Sequence, residues 1–139
     1  MFVLIRHAGY SLTDGSLTTD GAEATHRLAA RLHATGNAWK IIQTSPARRT
    51  QETATIISQE LGVPISPDTR ISTKGNCVDF FPPHEPQDTI LISHLPVITK
   101  LLRRWSNAFG EDEPPFTEMG HGYVIDPEQQ TILPLEAGV

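Results

Sequence analysis

The strongest constraint on this chain is the regular exchange of short apolar runs with amphipathic stretches. Phe2 to Ile5, Trp39 to Gln43 and Thr89 to Ile92 have the length and composition of strands. Thr18 to Thr35 reads as a helix, with Ala24, Leu28 and Leu32 on one face and Gly36 as its stop. Pro46 to Leu61 reads as a second helix. Ser45 is placed to cap it, Pro46 suits its first turn, Ala54, Ile57 and Leu61 form its stripe, and Gly62 ends it. Pro96 to Trp105 is a third, with Ile98, Leu101, Leu102 and Trp105 at helical spacing. Val63 to Ile65 is expected as a brief edge strand, because Pro64 cannot sit in a central one. Tyr123 to Ile125 and Thr131 to Leu133 are expected to pair as a hairpin turning between Asp126 and Gln130. Alternation of this kind predicts an α/β fold, three layers deep, around a mostly parallel sheet.

With 139 residues the chain suits one domain, spanning positions 1–139. Its hydrophobic fraction of 38% is enough for a core. The least regular region is Ser66 to Gln87, punctuated by Pro67, Pro82, Pro83 and Pro86; loops of this length are usually functional. Asn107 to Glu118 reads as a second, charged loop. One cysteine, Cys77, cannot build a disulfide framework, and no metal-ligand spacing is present, so neither metal nor cofactor is expected. No run approaches the ~20 apolar residues of a membrane span, and Met1 to Ile5 is too short for a signal-peptide core, so a cytoplasmic monomer is the expectation. A net charge of −5 with no basic run argues against nucleic-acid binding. It does not prevent a few arginines from forming a cationic pocket.

Three polar clusters occupy one kind of place. Arg6-His7 follows the first strand. Thr44-Ser45 follows the second and opens a helix bearing Arg48 and Arg49. Ser93-His94 follows the third and opens a helix near Pro96. Open α/β sheets bind ligands beyond the carboxyl ends of their strands, and helix N-termini there favour anions. Taken singly, His7 could be a core histidine, Arg49 a solvated one-face cation, and Ser45 and His94 mere caps. Recurrence at equivalent strand ends is what points to one shared anion site, and no glycine-rich phosphate loop competes for that role.

The residues Leu4-Ile5-Arg6-His7-Ala8 resemble the Arg-His-Gly signature of the histidine phosphatase superfamily, the phosphoglycerate mutase-like fold. Ser45-Pro46-Ala47-Arg48-Arg49-Thr50-Gln51-Glu52-Thr53-Ala54 is similar to that family's second block, and Ile92-Ser93-His94-Leu95-Pro96 to its third. Leu17-Thr18-Thr19-Asp20-Gly21 resembles the helix entry between the first two. The likeness spans positions 1 to about 125 and is greatest to the short bacterial phosphohistidine phosphatases of the SixA type, through the Ser-Pro and Ser-His-Leu-Pro variants and Phe116-Thr117. The resemblance implies that His7 is a nucleophile that becomes phosphohistidine, that Arg6 and Arg49 clamp the phosphoryl oxygens, and that His94 donates to them. Ser45, Ser93 and Ala8 fall at substrate-binding positions. Chemistry agrees: a neutral imidazole is a nucleophile near pH 7 if its tautomer is fixed, and arginine binds two oxygens at once. Arg48, about 100° round the helix from Arg49, belongs to the surface or rim.

Two departures matter. The family glycine after the histidine is Ala8. The acid that protonates an alkoxide leaving group has no clear counterpart either, since Leu95 stands where one branch carries Asp. Asp68, Asp79, Glu85 and Asp88 are the carboxylates after the second helix, and Asp79 is the candidate general acid among otherwise solvated side chains. Acid help is worth about 10²- to 10⁴-fold to an ester and matters less when imidazole leaves. The expected substrate is therefore phosphohistidine in a phosphotransfer protein. A sugar or nucleotide phosphate is the alternative, and a non-catalytic phosphate-binding module, hinted at by Ala8, a third. His26 and His33 read as surface residues, and neither His84 nor His121 is expected in the site.

Overall fold

A computed structural model describes residues 1–81, 86–115 and 117–135, apart from the side chain of Asp79. Among the described residues six strands form one sheet: β1 (Phe2–Arg6), β2 (Ile41–Thr44), β3 (Ile65–Pro67), β4 (Thr89–Ser93), β5 (Gly122–Asp126) and β6 (Thr131–Leu135). Their order is β3-β2-β4-β1-β5-β6, with the first four parallel and the last two antiparallel. The α-helices among the described residues cover it: α1 (Thr19–Ala34), α2 (Arg48–Leu61) and α3 (Leu95–Phe109).

Strand alternation builds the layers. Val3, Ile5, Ile42, Ile90 and Ile92 pack with Leu28, Leu32, Ala54 and Ile57 of α1 and α2 on one face. Phe2, Leu4 and Leu91 pack with Ile98, Leu101, Leu102 and Trp105 of α3 on the other. This is the expected α/β/α arrangement, and both cores are shielded from water, so β1 and β4 read as unbroken apolar runs. Trp105 also ties the sheet to the long connection before β4: its ring meets Phe2 edge-on at 5.1 Å and its indole N–H donates to the Phe80 carbonyl at 2.9 Å.

Several boundaries differ from the expectations. Trp39 and Lys40 precede β2; Trp39 is instead buried against α1, donating its indole N–H to the Leu32 carbonyl. Helix α2 starts at Arg48 behind Ala47, whose side chain makes no cap, so Ser45 is not the N-cap and Pro46 is not in the first turn. The Ser45 hydroxyl is used elsewhere, as described below. The edge strand lies two residues later than expected, at Ile65–Pro67, and α3 continues past Trp105 into the region read as a loop. The Ser66–Gln87 region holds 3-10 turns at Thr69–Ile71 and Cys77–Phe80.

Helix α1 is pressed onto the loop that follows β1. Thr18 caps it by accepting from the Gly21 N–H, while the Thr18 N–H donates to the Gly9 carbonyl. A Cβ at position 21 would lie 2.2 Å from that same carbonyl oxygen. Gly21→Ala therefore forces helix and loop apart, and should lower stability by roughly 1–3 kcal/mol in urea unfolding, as overpacking does. Ala22→Gly beside it, acting only through helix propensity, should cost about 1 kcal/mol or less.

Candidate functional site

The register of β1, β4 and β2 brings the polar clusters together. Arg6 lies opposite Ser93, and Thr44 opposite Ile92. The ladder runs one step further, with His7 N–H donating to the Ser93 carbonyl and Ser45 N–H to the Ile92 carbonyl. His7, Ser45 and His94 thus leave the sheet side by side, and all three are buried.

Each imidazole has a defined tautomer. The His7 Nδ1 stands 3.0 Å from the Ala8 carbonyl oxygen. A carbonyl only accepts, so Nδ1 carries the hydrogen and Nε2 keeps the lone pair. The His94 Nδ1 is 3.1 Å from an Arg49 terminal nitrogen, and its Nε2 is 2.7 Å from the Ser45 hydroxyl. A guanidinium only donates, so Nδ1 is the bare nitrogen here and Nε2–H donates to Ser45. The two rings lie 5.4 Å apart. Burial pushes the His94 imidazolium down to about 4, with the cation of Arg49 adding to the effect. Burial likewise lowers His7, opposed by its bond to Ala8 and reinforced by Arg49 and Arg6. Both rings are therefore uncharged at neutral pH.

The arginines come from different elements and converge. Arg6 donates to the Thr117 carbonyl at 3.0 Å. Arg49 reaches His94, and its buried Nε finds no acceptor among the described residues. Such a donor costs folding free energy unless an anion meets it. Tyr10, which sequence reasoning missed, lines the same place: its ring meets His7 edge-on at 5.1 Å and carries the Arg49 guanidinium on its face at 5.0 Å. No periodic signal marks Tyr10; a bridge to Leu17 places it. Thr53, also missed, accepts from the Ala8 N–H and donates to the Arg49 carbonyl. Gly120, at φ 75°, donates to the carbonyls of Arg6 and His7.

The other expected site residues fall in varied places. Ala8 is fully buried, with its N–H on Thr53 and its carbonyl on His7, so it orients the His7 ring and its N–H is not turned to an anion. The Ser93 hydroxyl turns to the α3 side and donates to the Ile71 carbonyl. Arg48 is on the rim, paired with Glu52 at 2.7 Å. Asp68 is held by Arg70, which keeps its carboxyl below the usual range and ionised. Asp88 sits at the opposite end of the sheet, near Lys40 and Asn37. The Asp79 side chain, His84, Glu85 and Phe116 lie outside the described residues. The His26 ring, exposed as expected, contacts Glu60 between α1 and α2. His121 gives only its carbonyl, to the Arg6 N–H, while its ring lies 3.8 Å from Glu118. Among the described residues no three His, Cys, Asp or Glu side chains group as metal ligands, and no helix is long and apolar enough to cross a membrane.

A family model, the histidine phosphatase superfamily (branch 1), matches residues 3–72, half of the chain and the part holding Arg6, His7 and Arg49. The chain belongs to this superfamily of phosphatases. No curated protein matches the sequence significantly. Solved structures share the fold across nearly the whole length. The protein histidine phosphatase SixA complexed with tungstate is 20% identical with a TM-score of 0.73, covering 98% of this chain and 96% of its own. SixA from Agrobacterium tumefaciens is 17% identical with a TM-score of 0.75, covering 95% and 94%. Phosphoglycerate mutase from Plasmodium falciparum is 21% identical with a TM-score of 0.63, covering 97% and 87%.

The depressed histidines make a prediction about stability. A histidine whose folded pKa lies below its unfolded value of about 6.5 stabilises the fold above that value and loses the contribution as pH falls toward the folded pKa. For His94 the window is pH 6.5 down to about 4. The urea midpoint should fall across it in the wild type and fall less steeply in His94→Gln. Equal slopes would show that His94 is not buried neutral.

Proposed function

We propose that this chain is a phosphatase that takes a phosphoryl group onto His7 Nε2, with phosphohistidine in a phosphotransfer protein as its substrate. The carrying observation is the Nδ1–H bond from His7 to the Ala8 carbonyl, which leaves the lone pair on Nε2 while Arg49 and Arg6 stand close enough to act on the ring. The lowered pKa keeps that lone pair available at pH 7.

In the first step Nε2 attacks phosphorus, the P–N bond of the substrate breaks, and imidazole leaves neutral if its other nitrogen carries a proton. Water then attacks phospho-His7 and releases phosphate. The barrier falls mainly through positioning and through positive charge on the equatorial oxygens. Arg49, stacked on Tyr10 and directed by His94, supplies that charge with Arg6. A phosphoryl dianion also raises His94, so that Nδ1 gains a proton and donates to an oxygen alongside Arg49. Neighbours of the same fold were solved with tungstate and with VO3.

Substrate choice follows from proton supply. Asp68 is ionised by Arg70, and Leu95 follows the second histidine, so neither offers a proton to an alkoxide. A phosphoramidate bond needs that help least. The lone thiol, Cys77, is buried and suits a reducing cytoplasm.

His7→Ala should lower phosphohistidine hydrolysis by on the order of 10³-fold or more, the scale on which loss of a covalent nucleophile acts. Quenched wild type should carry an acid-labile phosphoryl group on His7, detectable by radiolabel and lost in the variant. A second reading, small-molecule phosphomonoesterase, needs Asp79 as its acid. It predicts that Asp79→Asn loses about 10²-fold or more on an alkyl phosphate with phosphoramidate hydrolysis unchanged. Poor alkyl phosphate turnover by both proteins removes that reading.

A further inference from the structure

A second surface lies on α3, beside the 3-10 turn at Cys77–Phe80. It is a groove of about 450 Å³, walled by Lys100, Arg103 and Arg104 on one side and by Val78 and Phe81 on the other. We propose that this groove docks an acidic segment of the phosphoprotein substrate. The proposal rests on the phosphohistidine-protein reading and names where the partner is held.

Charge is the first argument. The chain carries −5 overall, yet three of its 11 lysines and arginines stand together here. Among the described residues Lys100 and Arg104 form no ion pair, and Arg104 rests on the Phe81 ring at 4.6 Å, which holds it at the groove wall. Arg103 pairs with Glu113 at 3.2 Å, but both side chains are exposed. Such a pair is worth about 0–1 kcal/mol and is readily exchanged for another carboxylate.

The arrangement selects the kind of anion. Lys100, Arg103, Arg104 and Asn107 are spaced i, i+3, i+4, i+7 along one helix, a stripe of about 10 Å. A single phosphate is gripped by cations that converge from different elements, as Arg6 and Arg49 do. A stripe on one helix matches carboxylates repeated along a segment. The lining from the preceding turn includes apolar Val78, about half exposed, and Phe81, which fits the methylenes and apolar residues between acidic ones on a polypeptide. Nucleic acid would ask for a broader basic face than three side chains.

Position completes the case. Helix α3 starts next to His94, and Lys100 follows six residues on, about 9 Å down the axis. A partner with its phosphorylated histidine at His7 is wide enough to cover that distance. The groove would raise affinity and encounter rate without touching the reacting atoms.

The test uses a histidine-containing phosphotransfer domain with an acidic surface, phosphorylated with phosphoramidate, and phosphoramidate itself as the small substrate. In Lys100→Glu/Arg104→Glu, kcat/KM on the protein should fall at least tenfold through KM, while phosphoramidate turnover stays within twofold. Salt from 20 to 300 mM should depress wild-type turnover of the protein steeply and the variant's only slightly. Poly-glutamate should inhibit the wild type on the protein substrate and not the variant. An unchanged KM on the protein, or equal losses on both substrates, overturns the groove assignment. So does stronger competition by poly-uridylate than by poly-glutamate, which reassigns the stripe to nucleic acid. Wild type that cleaves phosphoramidate but never the phosphoprotein overturns the substrate reading as well, a result distinct from the others because it is visible before any groove residue is changed.

Discussion

Everything at this site depends on three parallel strands ending level with one another. Thr89 pairs with both Phe2 and Ile41, and Ile92 with both Ile5 and Thr44. That common register is enforced from both faces, because Val3, Ile5, Ile90 and Ile92 must meet α1 and α2 while Phe2, Leu4 and Leu91 must meet α3. A slip of one residue would turn each set to the wrong layer. The packing of two hydrophobic cores thus decides where two imidazoles and a hydroxyl emerge.

The electrostatic arrangement is costly to the fold and useful to an anion. Two histidines are buried uncharged, and the arginine nitrogen Arg49 Nε is buried without an acceptor among the described residues. Burial does most to hold His7 neutral, Arg49 and Arg6 add to it, and the same positive surroundings favour a bound anion.

Much of this was legible in the sequence because strand and helix periods are local. β1, β4 and the stripe of α3 follow from spacing alone. Boundaries failed where tertiary bonds outbid local rules. Ser45 has the chemistry of a cap, yet its hydroxyl goes to His94, and the helix start moves on to Arg48. Trp39 looked like strand and is drawn to Leu32. Within the site, Arg6, His7, Ser45, Arg49 and His94 are visible as polar residues at strand ends. Tyr10 and Thr53 are not, because a ring laid under a guanidinium and a hydroxyl bridging two backbones are relations in space with no period. Ser93 shows the converse: it sits in the right block and turns its hydroxyl away, to Ile71.

The Thr53 hydroxyl has a mechanical consequence. It receives the Ala8 N–H and gives its own proton to the Arg49 carbonyl, and Ala8 in turn holds the His7 ring. The His7 ring and the backbone of Arg49 therefore share one short linkage between residues 45 apart in sequence. A displacement of α2 at Thr53 is therefore passed to Ala8 and, through its carbonyl, to the His7 ring.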